Sequence, residues 1–110
     1  MKKTFVKLSK SLIVDYSQIL FCKSSNNYTE LHFRDGNVKL VTITLKIVED
    51  LLPEYCFFRA SKSIIINLDT ISCIENCAKR VVLETGVVLK VSIHRSSLLL
   101  GKIEKETVLS

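Results

Sequence analysis

Hydrophobic residues in this chain occur mostly in short runs of β-branched and aromatic side chains, several of which alternate with polar residues. The clearest example is the segment 28–33, in which Thr29, Leu31 and Phe33 share one face of a strand and polar side chains occupy the other. An Arg-Asp-Gly-Asn turn follows at 34–37 and leads into a further apolar run. The sequence therefore predicts a β-hairpin at this point.

Similar runs predict strands along most of the chain, which places it in the mainly-β fold class. The predicted strands are Thr4–Leu8, Leu12–Asp15, Ile19–Lys23, Tyr28–Phe33, Val38–Thr42, Cys56–Ala60, Ile64–Ile66, Thr70–Glu75, Arg80–Glu84 and Val87–Ile93.

Only two segments show helical periodicity. Leu45, Val48, Leu51 and Leu52 fall on one helical face, Thr44 is placed to cap the first turn, and Ile43 can pack against Val48 as a hydrophobic staple. The proline at position 53 ends this helix. A second short helix is predicted at 96–106, capped by one of the two serines at its start.

The last predicted strand is followed by a group of polar side chains. If the apolar residues of 87–93 form the buried face, then Lys90, Ser92 and His94 lie on the opposite face, with Arg95 immediately after them. Such residues usually form a solvated sheet surface. The alternative is a row of hydrogen-bond donors that contacts phosphates or base edges.

Composition narrows the class of protein. With 110 residues, 47% of them hydrophobic, the chain is expected to form a single domain over 1–110 with a substantial core. Neither a signal peptide nor an apolar stretch approaching the roughly 18 residues of a membrane span is present, so we expect a cytoplasmic protein. A net charge of +5 and a pI near 9.1 favour a polyanionic partner.

The four cysteines do not form a metal-binding or redox motif. No CxxC pair occurs, and the two histidines lie at no zinc-finger spacing, so no metal or cofactor is predicted. Cys22, Cys56 and Cys73 stand among apolar residues and are expected to be buried, and all four thiols, Cys77 included, are expected to be free.

Enzymatic motifs are also lacking. The chain contains no nucleophile-elbow pattern, no GxGxxG and no Walker lysine motif, and no pair of carboxylates stands out. Enzymatic activity is therefore the weakest hypothesis, and a thiol-dependent enzyme or redox sensor rests on the cysteine count alone.

Three donor-rich segments, each bounded by apolar sequence, favour polyanion binding instead. They are Lys-Ser-Ser-Asn-Asn-Tyr at 23–28, Arg-Ala-Ser-Lys-Ser at 59–63 and Ser-Ile-His-Arg-Ser-Ser at 92–97. Asparagine pairs with adenine, and serine, tyrosine and basic side chains bond to phosphate oxygens. The simpler interpretation is that these segments are ordinary turns.

Taken in order, these residues resemble the LytTR DNA-binding domain, the β-rich output module of many bacterial response regulators. The strongest stretch is "FFRASKSIIIN" at 57–67, against a family pattern of roughly F-x-R-x-H-x-S-y-i-V-N. "ILFCKSSNNYTELHFRDG" and "ITLKIVEDLL" lie upstream of it, and "VVLETGVVLKVSIHRSSLLL" lies downstream. The similarity covers about residues 14–100.

This resemblance implies about ten strands in stacked, elongated sheets, and a transcriptional regulator whose loops enter successive major grooves of promoter DNA. Self-association on DNA and a separate signalling partner are further expectations. The implied DNA-binding residues are Asn27, Tyr28, Arg59, Lys62, His94 and Arg95, with Lys23, Ser25 and Lys90 as candidate phosphate contacts.

Two family residues can have structural roles, and two positions depart from the family pattern. Arg59 matches an arginine that is either structural or phosphate-facing, and Asn67 matches an asparagine expected to bond to backbone. Ser61 replaces the usual histidine, and "SIHR" replaces the commoner Ser-Arg-Arg, which leaves His94 as the nearest equivalent of the base-reading arginine. Because of these two departures, a β-rich protein-interaction module that has kept the fold but lost DNA readout is the alternative function.

Overall fold

The computed structural model describes residues 4–106, and the remaining residues of the predicted single domain, 1–3 and 107–110, lie outside the described residues. The described part contains ten strands in three antiparallel sheets and two α-helices, which confirms the mainly-β prediction. The strands are β1 (Phe5–Ser9), β2 (Leu12–Asp15), β3 (Ile19–Ser25), β4 (Tyr28–Phe33), β5 (Val38–Val41), β6 (Phe57–Arg59), β7 (Ile64–Asn67), β8 (Ile71–Glu75), β9 (Arg80–Leu83) and β10 (Val88–Lys90). The helices are α1 (Leu45–Leu51) and α2 (Ile93–Glu106), and neither is long and apolar enough to cross a lipid bilayer.

A five-stranded sheet, in the order β5-β4-β3-β7-β6, lies between the other elements. Its side chains alternate between two hydrophobic cores, so that Phe57 and Ile65 enter the first core while Phe58 and Ile66 enter the second. The β1–β2 hairpin and α1 cover the first core. The three-stranded sheet, in the order β10-β9-β8, and α2 cover the second.

The β4–β5 hairpin forms as predicted. Thr29 and Leu31 are fully buried and Phe33 packs against the first core. Gly36 at the turn has φ +90°, a left-handed conformation that glycine adopts without steric penalty. The turn chemistry therefore sets the register that directs these side chains inwards.

Helix α1 begins at its predicted cap, where the Thr44 side chain accepts a hydrogen bond from the Ile47 N–H. Leu45 and Val48 are buried against the sheet. Leu51, predicted on the same face, is exposed, because the helix ends there and the next residue, Leu52, turns into the core instead.

The predicted strand 87–93 is wrong at its C-terminal end. Strand β10 stops at Lys90, and α2 begins at Ile93, which is exposed rather than buried. The Ser92 N–H donates to the Ala60 carbonyl, immediately after β6, and the Ser92 carbonyl accepts the first hydrogen bonds of the helix. The bond to Ala60 takes the chain out of the sheet that contains β10. Helix α2 therefore starts three residues before Ser96, the first of the two serines predicted to cap it.

Asn67 connects the end of β7 to the start of β3, as its expected backbone role requires. Its side chain is buried, the Nδ2 group donates to the Ile19 carbonyl at 2.8 Å, and the Oδ1 atom accepts from the Asp69 N–H at 3.0 Å. The amide thus satisfies a buried carbonyl and fixes the turn that follows β7.

We expect Asn67→Ala to lower the free energy of unfolding by about 1–3 kcal/mol, because the buried Ile19 carbonyl loses its side-chain donor. Urea denaturation measures this change. The matched control is Asn37→Ala, in an exposed turn, which should change stability by no more than about 0.5 kcal/mol. Equal stabilities for the two variants would contradict the assigned role of Asn67.

Candidate nucleic-acid interface

The first two donor-rich segments lie side by side at one end of the five-stranded sheet. Strand β3 runs into the turn at 26–27, and the antiparallel strand β7 begins beside its end, with Lys23 paired to Ile64. The loop that precedes β7, residues 60–63, is joined to β3 by a hydrogen bond of 2.9 Å from the Ser24 N–H to the Ser63 carbonyl. The sheet topology therefore brings these segments together.

The third segment is attached directly to the second. The Ser92 N–H donates to the Ala60 carbonyl at 2.9 Å, and Arg95 Nε donates to the Arg59 carbonyl, also at 2.9 Å. The guanidinium of Arg95 lies 5.2 Å from the ring centre of Phe58, within the range of a cation–π contact. The start of α2 and the 60–63 loop are thus held as one unit.

The side chain of Arg59 organises the loop that follows it. Its Nε and Nη2 groups donate to the carbonyls of Ser61 and Lys62, each at 2.7 Å, and Nη1 bonds to the Glu49 carboxylate at 2.9 Å. A planar guanidinium can hold several acceptors in a fixed arrangement, which a lysine cannot do. These contacts support the structural alternative for Arg59.

An open groove of about 590 Å³ lies between the loop and the helix, and we call it the α2 groove. Lys62 and His94 are exposed on it, and neither forms an ion pair with a described residue. Among its described lining residues, Glu49 is the one acid, and it is paired to Arg59. The groove is lined by Glu49, Arg59, Ser61, Lys62, Ser63, Ser92, His94 and Arg95.

Ser61 contributes to the structure of the 60–63 loop. It stands where the family that this chain resembles usually has histidine. Its Oγ atom accepts a hydrogen bond of 3.2 Å from the Ser63 N–H. The side chain therefore helps to close the turn.

The first donor-rich segment, at 23–28, forms a turn at the same end of the five-stranded sheet. Asn26 adopts a left-handed conformation with φ 56°, which asparagine tolerates better than most residues, and Asn27 and Tyr28 are exposed beside it. On β3, Lys23 is exposed and Ser25 is half-buried. These four predicted residues do not line the α2 groove, whereas Arg59, Lys62, His94 and Arg95 all do.

Lys90 lies in a second depression, of about 290 Å³, which we call the β9–β10 cleft. Lys79 and Arg80 line the same cleft, and the sequence interpretation missed them. Lys79 and Arg80 are consecutive in the sequence, and the pairing of β9 with β10 places Arg80 opposite Lys90.

Cys22 and Cys56 are buried as expected, but Cys73 is exposed, as is Cys77, and all four thiols are free. The prediction for Cys73 is wrong because the register shifts between Ile71 and Cys73, which breaks the alternation of β8. Burial raises the pKa of the Cys22 thiol to about 12 and that of the Cys56 thiol to about 11. Among the side chains that the structure describes, no cluster of three or more histidine, cysteine and acidic residues could hold a metal ion.

We expect iodoacetamide to modify Cys73 and Cys77 in the native protein and to leave Cys22 and Cys56 unmodified. Cys22 and Cys56 are buried, so the reagent cannot reach them, and burial disfavours the thiolate form that reacts. Mass spectrometry after labelling at about pH 8 identifies the sites, with a urea-unfolded sample as the control. Native labelling of all four thiols at similar rates would contradict the buried positions.

We also expect Arg59→Gln to lower the free energy of unfolding by on the order of 2 kcal/mol, because two loop carbonyls and Glu49 lose a charged donor. The matched control is Arg80→Gln, which removes one exposed ion pair and should change stability by less than about 1 kcal/mol. Urea denaturation compares the two variants. A smaller loss for Arg59→Gln than for the control would show that the loop does not depend on Arg59.

Comparisons with known proteins agree with this architecture. A family model described as the LytTr DNA-binding domain, which is not an enzyme family, matches residues 9–104. Among solved structures, the LytTr DNA-binding domain of a protein described as a methyl-accepting/DNA response regulator from Bacillus cereus matches with a TM-score of 0.77 and 20% identity, covering 93% of this chain and 98% of that chain. At this identity the structural match shows the fold alone. No curated protein shows significant sequence similarity to the chain. Because the family model spans nearly the whole sequence, the chain belongs to the LytTr DNA-binding domain family.

Proposed function

We propose that this chain binds duplex DNA with sequence preference, as the DNA-binding module of a transcriptional regulator. The observation that carries the proposal is the direct bonding of the 60–63 loop to the start of α2, which holds Lys62 and His94 exposed on one groove. Family membership and the net charge of +5 support the same conclusion.

Within the α2 groove the proposed roles differ between residues. Lys62 and His94 have exposed side chains and can donate hydrogen bonds to guanine O6 and N7 or to phosphate oxygens. Arg59 and Arg95 already donate to backbone carbonyls, and they position the loop and the helix rather than read bases. The N-terminus of the 14-residue helix α2 also faces the groove, and its dipole favours a bound anion.

The turn at 26–27 provides a second contact region. Asn27 and Tyr28 are exposed there, with Lys23 and Ser25 behind them on β3. The turn and the α2 groove lie next to each other, because the Ser24 N–H bonds to the Ser63 carbonyl at 2.9 Å. In this proposal they therefore contact neighbouring parts of the same duplex, with Lys23 and Ser25 bonding to phosphates.

A second candidate function is binding of a protein partner through strand β5. This strand forms one edge of the five-stranded sheet and exposes Val38 and Leu40. An exposed edge strand with apolar side chains is suited to pairing with an added strand. Capture of a protein partner that survives nuclease treatment and high salt would favour this function over DNA binding.

We expect Lys62→Ala to weaken binding to a preferred DNA sequence by about 1–3 kcal/mol if Lys62 reads a guanine, and to relax the base preference at one position. A uniform loss on all sequences, with a less negative salt slope, would make Lys62 a phosphate contact instead. The measurements are selection from random duplex DNA and fluorescence-anisotropy titrations at two salt concentrations.

The matched control is Lys39→Ala, which removes the same charge from an exposed position outside the α2 groove. Its affinity and selected sequence should equal those of the unmodified chain. If Lys62→Ala behaves like this control, Lys62 is not a DNA contact, and if the unmodified chain shows no salt-dependent binding to any duplex, the proposed function is wrong.

A further inference from the structure

The β9–β10 cleft concentrates positive charge outside the α2 groove. Strand pairing places Arg80 directly opposite Lys90, and Lys79 precedes Arg80 along the chain. Asn76, Val91 and Ile93 complete the lining of this open cleft. Three cationic side chains, all of them exposed, therefore share one depression.

These charges are only partly compensated. Arg80 Nε bonds to the Glu75 carboxylate at 2.9 Å, while Lys79 and Lys90 form no ion pair with any residue that the structure describes. Like charges directly opposite each other on neighbouring strands are destabilising. The folded protein thus maintains a repulsion at this point that a bound polyanion would relieve.

The turn that presents Lys79 has an unusual backbone. Asn76, Cys77 and Ala78 have φ values of 53°, 55° and 65°, in the left-handed region that residues other than glycine seldom occupy. The Ala78 side chain is fully buried in the second core, and the Lys79 carbonyl accepts a hydrogen bond of 2.9 Å from the Val91 N–H. Tertiary contacts therefore hold a locally unfavourable turn in place, which is common where side-chain position has a functional role.

The cleft and the α2 groove meet at the start of α2. Ile93 lines the cleft, and the next residue, His94, lines the groove. The exposed Ile93 side chain lies at the junction and is suited to apolar contact with a deoxyribose. A DNA duplex bound over the groove would accordingly extend past the cleft.

We propose that Lys79, Arg80 and Lys90 bind the phosphodiester backbone that flanks the DNA segment bound at the α2 groove. This inference rests on the proposed DNA binding and adds a contact region on the three-stranded sheet that carries no base preference. The cleft contributes affinity and orientation, whereas the α2 groove contributes sequence preference.

The test compares the double variant Lys79→Ala/Lys90→Ala with the control Lys7→Ala/Lys39→Ala, which removes two exposed lysines that line neither the cleft nor the groove. Binding is titrated at several salt concentrations on a duplex taken from the selection. Each lost phosphate contact should make the log–log salt slope less negative by about 0.9, so the cleft variant should differ from the control by about 1.8. Its selected base preference should be unchanged.

A single charge reversal separates loss of binding from loss of folding. Lys90→Glu places an acid opposite Arg80, so we expect an unchanged or higher stability in urea together with weaker binding to every duplex sequence. Weaker binding that is accompanied by a lower stability would count against a direct phosphate contact.

The outcomes distinguish the two proposals. If the unmodified chain binds DNA and the cleft variant has the same salt slope as the control, the cleft proposal is overturned while the proposed function stands. If the unmodified chain shows no salt-dependent DNA binding, both are overturned. Saturable binding of inorganic phosphate that is lost in the cleft variant, without any change in DNA binding, would assign the cleft to a free anion instead.

Discussion

The guanidinium of Arg59 is the interaction on which the candidate interface depends. It joins a helix, a strand and a loop by donating to Glu49 on α1 and to the carbonyls of Ser61 and Lys62. Arg95 extends this arrangement by donating to the Arg59 carbonyl. A planar guanidinium donates in fixed directions, so its hydrogen bonds leave the 60–63 loop little freedom to change its shape.

The five-stranded sheet makes this arrangement available by separating two cores. Alternate residues of β6 and β7, such as Phe58 and Ile66 against Phe57 and Ile65, anchor the same strands from both sides. The connections at the strand ends therefore start from fixed points, and exposed polar residues there can be positioned without a core of their own. The polar segment 59–63 sits between buried aromatic and isoleucine residues for this reason.

Local signals in the sequence predicted most of the strands. The features that the sequence did not predict depend on contacts between residues that are distant along the chain. The β4–β5 hairpin and the Thr44 cap depend on neighbouring residues, and both were predicted correctly. The start of α2 depends on the bond from Ser92 to Ala60, 32 residues earlier in the chain, and alternation alone continued the strand instead. The bond from Arg95 to the Arg59 carbonyl, 36 residues earlier, was hidden for the same reason. The family resemblance predicted the fold and the candidate residues. It did not predict which of these side chains hold the loop and the helix in position and which are exposed.

The bonds that shape the 60–63 loop end mainly on main-chain atoms. Arg59 binds the carbonyl oxygens of residues 61 and 62, which every amino acid provides. A change of side chain at position 62 therefore leaves the bond from Arg59 in place. An arginine bound to the backbone thus fixes the path of the loop and leaves the side chain at position 62 outside the bonds that hold it.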